Sequence, residues 1–468
     1  MAKKLISFDD SKTGEAALPD AVNTVLRDTY VPAWKPNTAY TAGQAVVSPA
    51  GDVVLRKTNS TSRATYDATE AGAWNLSATV TGKLSRSDAD GLYQNIKTVR
   101  AQLTGGVQTM AATTLTGGNR GHRIPFKSPV QTTRWRMKIR NFATDGAAGA
   151  GDPVIGLSGL ALGVAQLDAE GNPNGAYIPG TGVALATGGD YTIPADGTYW
   201  TSPWYDQPAH QIAPGRIHLL SIANRIPAGE SKRVLMGTGW QWNGAETVVD
   251  PAVAPYSVTP SQSRFEVVVE FESSTVRKVG AFIGDSIVDG VTAGRQASHQ
   301  AWPMLWANSH NSIAINAGVS GRTLANWANI NHPVWTSVDW ANVTADFGFI
   351  ALGTNDISTG TATLADLKAN FLATLANLRT KIGADRPMYA STVLPRKFNE
   401  ANETLRKQYN AWLATCPGGL ATVFDFATVM LDPAVAAPPQ LLPVYDSDGS
   451  HPTPLGYLRM ASIPGQLG

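Results

Sequence analysis

The sequence predicts an α/β fold in its C-terminal part: a three-layer α/β/α domain with a parallel sheet, preceded by a β-sandwich domain and a small N-terminal β module. The chain has 468 residues, which at about 150 residues per domain exceeds one domain of this kind. After residue 275, short apolar runs alternate with segments of helical period, as in parallel α/β proteins. The stretch before residue 275 is instead rich in strand and turn signals.

Short apolar runs in the C-terminal part indicate buried strands, and a helical period separates the later ones. The predicted strands are Val279–Ile283, Ile313–Val319, Phe347–Leu352, Pro387–Leu394 and Val423–Phe426. One predicted helix begins after Thr363-Leu-Ala-Asp366 and has an apolar face formed by Leu364, Leu367, Phe371, Leu375 and Leu378. A second includes Leu405, Tyr409, Trp412 and Leu413. We therefore expect a sheet covered on both faces, with functional residues at the carboxyl ends of its strands.

Four short polar blocks in this part contain the groups that serine-based acyl transfer needs. They are Gly284-Asp285-Ser286, Asn316-Ala-Gly-Val-Ser-Gly321, Gly353-Thr-Asn355-Asp356 and Asp448-Gly-Ser-His451. A serine hydroxyl becomes nucleophilic when an imidazole accepts its proton, and the imidazole needs an acceptor that fixes its tautomer. Asp448 lies three residues before His451 in a turn-forming segment, so its carboxylate can reach the imidazole. Asp446 is an alternative orienting carboxylate.

The order and spelling of these blocks resemble the SGNH hydrolases, also called GDSL-type esterases and lipases, over residues 275–468. The resemblance implies a three-layer α/β/α fold in which Ser286 is the nucleophile and His451 and Asp448 complete the triad. It also implies an oxyanion hole made by the N–H groups of Ser286 and Gly321 and the side-chain amide of Asn355. The mechanism requires no metal and no organic cofactor. Ile287 stands where the family name has Leu, at a position that should pack rather than react.

The sequence defines the chemistry of the site more closely than it defines the substrate. Arg322 and Trp327 follow the second block and are candidates for the border of a substrate pocket, although each could equally be surface or core. The segments beside the blocks are rich in Asn, Thr, Ser and Trp, which suits a sugar better than a lipid. We expect a serine esterase that removes O-acetyl or similar acyl groups from a cell-surface polysaccharide. The alternatives are a non-catalytic carbohydrate-binding adhesin on the same scaffold and an esterase or lipase acting on another ester.

The N-terminal regions carry three further predictions. Residues 105–273 should form the β-sandwich, with a jelly-roll-like arrangement similar to accessory β domains that precede some carbohydrate-active SGNH esterases. In Phe265–Phe271 apolar and polar residues alternate except at Val268, as expected for a half-buried strand. Residues 34–80 should form the small β module, whose aromatic residues either bind carbohydrate or form its core. Residues 81–104 should form a helical linker.

This linker resembles segments of phage tail fibres and tailspikes, which implies a place in a virion tail and extracellular action. Residues 1–33 would then be an attachment or assembly segment that contacts other tail proteins. Because such fibres are commonly trimeric, the resemblance also implies a homotrimer.

Composition excludes several classes of function. Lys and Arg number 37 against 36 Asp and Glu, giving a formal charge of +1, so nothing favours nucleic acid or an anionic membrane. The single cysteine, Cys416, cannot form an internal disulfide, and no His/Cys cluster has zinc-ligand spacing. The N-terminus has no apolar signal-peptide core and no run of about 18 apolar residues occurs, so we expect neither a signal peptide nor a transmembrane segment.

Overall fold

The computed structural model describes two compact units, Met1–Gln94 and Asn95–Gly468. Within them it describes residues 35–42, 45–47, 53–65, 67–76, 98–102, 108–129, 132, 134–140, 154–169, 171–185, 191–236, 240–243, 266–272, 278–292, 295–296, 298–338, 340–342, 344–435 and 437–468. The attachment segment predicted for residues 1–33 lies outside these ranges.

The first unit is built from short antiparallel strands and one helix. Its elements are β1 (Ala39–Tyr40), β2 (Ala45–Val47), β3 (Val53–Arg56), β4 (Ser60–Thr61), α1 (Ala68–Gly72) and β5 (Trp74–Leu76). β1 pairs with β4, and β2, β3 and β5 form a second small sheet. A buried ion pair of 2.6 Å between Arg56 and Glu70 joins β3 to α1. Tyr40 is buried and belongs to the core of this module, while carbohydrate binding by the module stays a prediction.

The N-terminal half of the second unit contains two antiparallel sheets. Their strands are β6 (Thr98–Gln102), β7 (Gln108–Lys127), β8 (Trp135–Arg140), β9 (Ile155–Leu167), β10 (Pro173–Tyr177), β11 (Val183–Leu185), β12 (Tyr191–Ile193), β13 (Tyr199–Thr201), β14 (Ile217–Met236), β15 (Trp240–Asn243) and β16 (Glu266–Glu272). Among the described residues one sheet has the order β10-β9-β14-β7-β15, with β11 and β12 also on β9, and the other the order β13-β8-β16-β6. Side chains of both sheets share one apolar core. The predicted sandwich is confirmed, and its jelly-roll-like connectivity stays a prediction.

The predicted helical linker over residues 81–104 is wrong at its C-terminal end. Thr98–Gln102 is a strand that pairs antiparallel with β16, with Val99 opposite Phe271 and Ala101 opposite Val269. The segment alternates polar and apolar residues, which suits an edge strand better than a helix. The sandwich therefore begins before residue 105, and residues 81–97 lie outside the described part of the chain.

The C-terminal half of the second unit is an α/β domain around a parallel sheet. Its strands are β17 (Val279–Gly284), β18 (Val291–Thr292), β19 (Arg295–Gln296), β20 (Ile313–Gly318), β21 (Phe347–Ala351), β22 (Met388–Ser391) and β23 (Thr422–Phe424). Its helices are α2 (Ser286–Asp289), α3 (Trp302–Ser309), α4 (Leu324–Ala328), α5 (Thr354–Ser358), α6 (Leu364–Ile382), α7 (Glu400–Leu413), α8 (Phe426–Met430) and α9 (Pro454–Ala461). The parallel sheet has the order β20-β17-β21-β22-β23, and β18 and β19 form a separate hairpin.

Two apolar cores, one on each face of the parallel sheet, make the domain three-layered. The central strand β17 contributes to both, because successive side chains of a strand point to opposite faces. Ala281 and Ile283 belong to the core with α4, α6 and α7, whereas Phe282 belongs to the core with α3, α8 and α9. The predicted α/β/α architecture is confirmed.

The longest helix of this domain forms as its sequence predicts. Thr363 caps α6 by accepting a hydrogen bond from the backbone N–H of Asp366, whose carboxylate accepts from the N–H of Thr363 in return. Most of the predicted apolar face is buried, namely Leu367, Phe371, Leu375 and Leu378, while Leu364 is half-buried. Among the helices in the described ranges, none combines the length and apolar character needed to span a membrane.

Candidate active site

The ends of three neighbouring strands bring the first three polar blocks to one edge of the sheet. Gly284 of β17 pairs in register with Gly318 of β20 on one side and with Ala351 of β21 on the other. Parallel strands that end side by side deliver the residues that follow them to a common edge. Ser286 and Asn355 lie in the segments that follow β17 and β21 at this edge.

Ser286 is the first residue of the short helix α2 and is only 6% exposed. Asp285 caps the helix, its carboxylate accepting a hydrogen bond of 2.9 Å from the N–H of Ile287. Capping aligns the first turn of α2, so the serine side chain is held in a defined direction. Asp285 thus has a structural role next to the nucleophile.

The helix α2 lies directly over the end of β20, and two residues of the second block allow this. A Cβ atom on Gly318 would lie 2.3 Å from the backbone nitrogen of Asp289, so only glycine permits the approach. The side-chain amide of Asn316 donates a 2.7 Å hydrogen bond to the carbonyl of Val288. Sequence reasoning assigned no role to Asn316, which holds α2 in place.

A continuous chain of hydrogen bonds joins Ser286, His451 and Asp448. The Nε2 atom of His451 lies 2.9 Å from the Oγ atom of Ser286, and its Nδ1 atom lies 2.8 Å from the Oδ2 atom of Asp448. The other carboxylate oxygen of Asp448 accepts from the backbone N–H of His451 at 2.8 Å. The structure therefore brings the three predicted residues together in the order that proton transfer from serine needs.

Asp446, the alternative carboxylate, has a different position. Its Oδ1 atom accepts hydrogen bonds from the backbone N–H groups of Asp448 and Gly449, which closes the turn that carries His451. Asp446 supports the loop, and Asp448 contacts the imidazole.

The charge on Asp448 is stabilised by its surroundings. Burial by itself raises the pKa of this carboxyl, but hydrogen bonds from the imidazole and the backbone N–H of His451 outweigh that effect and lower the pKa below its usual value. Asp448 is consequently ionised at neutral pH and able to stabilise a positively charged imidazole.

A hydrogen bond connects Asn355 to the residue after Gly321, so these two candidate oxyanion donors lie in linked segments. The side-chain amide of Asn355 donates one hydrogen bond of 2.9 Å to the carbonyl of Arg322, which follows Gly321. An NH₂ group has two donors, so a second N–H of Asn355 can serve a substrate oxygen. Gly321 has a φ of +76°, a backbone conformation that favours glycine. Together with the backbone N–H of Ser286, these donors stay our prediction for the oxyanion hole.

Two acidic residues under this site have raised pKa values. Burial raises the pKa of Asp285 to about 7, with Arg396 acting in the opposite direction through its charge. Burial likewise raises the pKa of Asp356, whose carboxylate accepts a 2.9 Å hydrogen bond from the N–H of Leu324. Asp356 thereby links the third block to the start of α4.

We expect Asp285→Asn to remove part of the pH dependence of stability. A carboxyl whose pKa is raised on folding binds its proton more tightly in the folded state, so its contribution to the free energy of unfolding declines as pH rises from about 4 to about 7. The amide keeps an oxygen that can accept from Ile287. The difference in the free energy of unfolding between variant and wild type should therefore be more favourable to the variant at pH 8 than at pH 5, by about 2–3 kcal/mol. Urea unfolding followed by tryptophan fluorescence measures this difference at both pH values. An equal difference at both pH values would contradict this.

The two predicted substrate contacts have different outcomes. Arg322 is half-buried, and burial lowers the pKa of its guanidinium; its substrate role stays a prediction. Trp327 is fully buried in the core, where its indole N–H donates to the carbonyl of Gly284 at 3.2 Å and its ring meets Trp335 edge-on. The predicted pocket role of Trp327 is wrong, because its side chain points from α4 into the sheet. Within the described ranges, no cluster of three or more His, Cys, Asp or Glu residues could hold a metal ion.

Sequence reasoning missed Arg396, which lies in the loop between β22 and α7. Its guanidinium donates a 3.3 Å hydrogen bond to the hydroxyl of Thr354, the neighbour of Asn355. Asp285 and Asp448 both act on it through their charges. A single arginine in a loop has no spacing signal that would place it at the site.

A hydrogen-bonded serine, histidine and aspartate at the carboxyl edge of a parallel sheet in an α/β/α sandwich define the serine hydrolase class. Residues 282–459 match the family described as GDSL-like lipase/acylhydrolase, so the C-terminal region is an SGNH-type domain of that family. No curated protein matches the chain.

Several solved structures are similar to parts of the chain. A family two carbohydrate esterase from Clostridium thermocellum, in complex with cellohexaose, is 14% identical with a TM-score of 0.36, covering 78% of this chain and 96% of that one. The family two carbohydrate esterase from Cellvibrio japonicus is 12% identical with a TM-score of 0.33 and the same coverage. A lipolytic protein of the G-D-S-L family from Desulfitobacterium hafniense is 17% identical with a TM-score of 0.32, covering 40% and 97%. At these scores the likenesses carry no argument about substrate.

Proposed function

We propose that the C-terminal domain is a carboxylic ester hydrolase that removes O-acetyl or similar acyl groups from a surface polysaccharide. The observation that carries the proposal is the chain from Asp448 through His451 to Ser286, with both hydrogen bonds under 3 Å. Such a chain activates a serine for attack on an ester carbonyl.

The reaction has two halves. The Oγ atom of Ser286 attacks the carbonyl carbon while His451 takes the serine proton. The resulting oxyanion accepts hydrogen bonds from the N–H groups of Ser286 and Gly321 and from the side-chain amide of Asn355. The C–O bond to the alcohol then breaks, His451 gives its proton to the departing oxygen, and an acyl-serine remains. Water attacks the acyl-serine by the same steps and releases the carboxylic acid.

Polar residues around Thr354 and Asn355 support a hydroxyl-rich substrate. Arg322, Asn355 and Arg396 are part-buried donors. A sugar offers many oxygen acceptors to such donors, whereas an acyl chain offers none. We therefore place the saccharide of the substrate against these side chains.

A lipid ester is the second candidate, favoured by one observation. Val444, Leu455 and Leu458 are about half exposed, at 50%, 48% and 53%. Leu455 and Leu458 share a face of α9, just after His451, and the hydroxyl of Thr453 donates to the carbonyl of Val444 at 2.8 Å. Solvated apolar side chains beside a catalytic loop suit a lipid surface.

One experiment separates these functions. The protein is given O-acetylated bacterial polysaccharides, 4-nitrophenyl acetate and 4-nitrophenyl palmitate, and its matched control is the same protein treated with a fluorophosphonate, with the labelled peptide identified by mass spectrometry. We expect acetate release from polysaccharide by the untreated protein, faster turnover of the acetate than of the palmitate, and a label on Ser286. Preference for palmitate favours the lipid esterase. Retention of polysaccharide without hydrolysis of any ester leaves only the adhesin.

We also propose that the protein acts as part of a phage tail, as a homotrimer attached through residues 1–33. This part of the proposal is supported by the sequence resemblance of residues 81–104 to tail-fibre linkers.

A further inference from the structure

The loop between β22 and α7 carries Arg396 to the active site on a rigid support. Asn410 of α7 bonds both the N–H and the carbonyl of Val393, at 2.8 and 2.9 Å, and Arg406 donates to the same carbonyl at 2.9 Å. Further along, the N–H of Lys397 donates to the carbonyl of Pro439 at 3.0 Å. Both ends of the short segment around Arg396 are therefore held by the fold, which places the backbone of Arg396 within side-chain reach of Thr354.

The guanidinium of Arg396 uses little of its bonding capacity. Of its five N–H donors, one bonds the neutral hydroxyl of Thr354 at the long distance of 3.3 Å. Its other near neighbour is the ring of Phe398, with 5.6 Å between the guanidinium carbon and the ring centroid. Among the described residues, no carboxylate lies within 4 Å of it.

The two carboxylates whose charges act on Arg396 already accept hydrogen bonds from other groups. Asp448 bonds the imidazole and the backbone of His451, and Asp285 bonds the N–H of Ile287. Burial lowers the pKa of Arg396, an effect that Asp285 and Asp448 only oppose from a distance. Arg396 is half-buried and none of its N–H groups is both buried and unpartnered, so its remaining donors are accessible to an anionic group of a bound substrate.

We propose that Arg396 binds a carboxylate of the acylated saccharide, so that the preferred substrates are O-acylated acidic polysaccharides. The inference rests on the proposed esterase function and specifies its substrate class. A guanidinium and a carboxylate form two parallel hydrogen bonds in one plane, which is more directional than contact with a neutral hydroxyl. Because Thr354 precedes Asn355, a sugar held by Arg396 lies next to the predicted oxyanion donors. Arg396 would therefore orient the acyl group as well as select the sugar.

The test compares two substrates that differ at one carbon: the methyl glycosides of O-acetylated glucuronic acid and O-acetylated glucose. We expect the wild type to have a kcat/KM at least about 10-fold higher for the glucuronide, since a charge-assisted contact contributes about 1.5–3 kcal/mol. Arg396→Gln should reduce this ratio to near one, chiefly by raising KM for the glucuronide. Arg396→Lys should keep part of the preference, because lysine has the charge without the planar pair of donors.

Arg386→Gln is the matched control. It removes the same charge from an exposed residue near the amino end of β22, the opposite edge of the sheet, where Arg386 lies 3.8 Å from Asp346. This variant should keep the wild-type ratio.

Three results would overturn the inference. A wild type that hydrolyses 4-nitrophenyl acetate but shows no preference for the glucuronide has no carboxylate site, and this result needs no variant to fold. Equal losses of Arg396→Gln on both glycosides, with a shifted pH–rate profile, would make Arg396 a support for the Asp448–His451 pair. A wild type inactive on all three esters overturns the esterase proposal and the inference with it, so the two failures are distinguishable.

Discussion

Replacing Asp448 by Asn should lower kcat about 10⁴-fold while leaving the fold intact. The Oδ2 atom of Asp448 accepts from the Nδ1 atom of His451, which keeps Nε2 unprotonated and directed at Ser286. An amide can present an NH₂ group to Nδ1 instead, which favours the tautomer that carries its proton on Nε2. That tautomer cannot accept the proton of Ser286. Turnover of 4-nitrophenyl acetate measures the loss.

Asp446→Asn is the control for this prediction, because it makes the same chemical change two residues away. An amide oxygen at position 446 can still accept from the backbone N–H groups of Asp448 and Gly449. We expect less than about a 10-fold loss of kcat, in line with a turn that keeps its hydrogen bonds. If Asp446→Asn proved as damaging as Asp448→Asn, with both variants folded by circular dichroism, the assignment of the orienting carboxylate would be wrong.

The candidate triad could be predicted from sequence because its chemistry limits the choice of residues. Ser286 follows a strand whose residues are apolar at every position, as a central parallel strand requires. Asp448 and His451 share one turn, so local geometry alone brings them together. The meeting of this turn with Ser286 depends on the whole domain, and the order of the four polar blocks was the only signal for it.

Arg396 illustrates what the sequence leaves open. Its position depends on Val393, which is held by Asn410 and Arg406 of α7. These contacts join residues 13 and 17 positions apart across a loop, and no periodicity marks them. The strand Thr98–Gln102 was not predicted for another reason. Its five residues give too short a pattern to distinguish a strand from a helix.

Trp327 shows the same difficulty at a single side chain. It lies in the five-residue helix α4, which is too short for its buried face to be identified by periodicity. Aromatic residues near a catalytic block attract a substrate role, yet a tryptophan has more apolar surface to bury than any other residue. The packing of α4 against α6 turns this indole inward.

Trp327→Ala should therefore destabilise the protein by about 3–5 kcal/mol, the range for a fully buried aromatic residue replaced by alanine. The change removes the edge-on contact with Trp335, whose ring centroid lies 4.9 Å away, and the 3.2 Å hydrogen bond to the carbonyl of Gly284. Trp327→Phe keeps most of the apolar volume but loses that hydrogen bond, so its cost should be nearer 1–2 kcal/mol.

Chemical unfolding measures both costs, and binding of acetylated polysaccharide at a temperature where the variants stay folded provides the second readout. A core role for Trp327 requires that the loss of stability be graded from Phe to Ala while the affinity of the folded protein for polysaccharide is unchanged. Wild-type stability with weakened polysaccharide binding would instead place the indole at the substrate. Gly284 is the last residue of β17 and lies two residues before Ser286. The hydrogen bond that both variants lose therefore also supports the strand end that leads to the nucleophile.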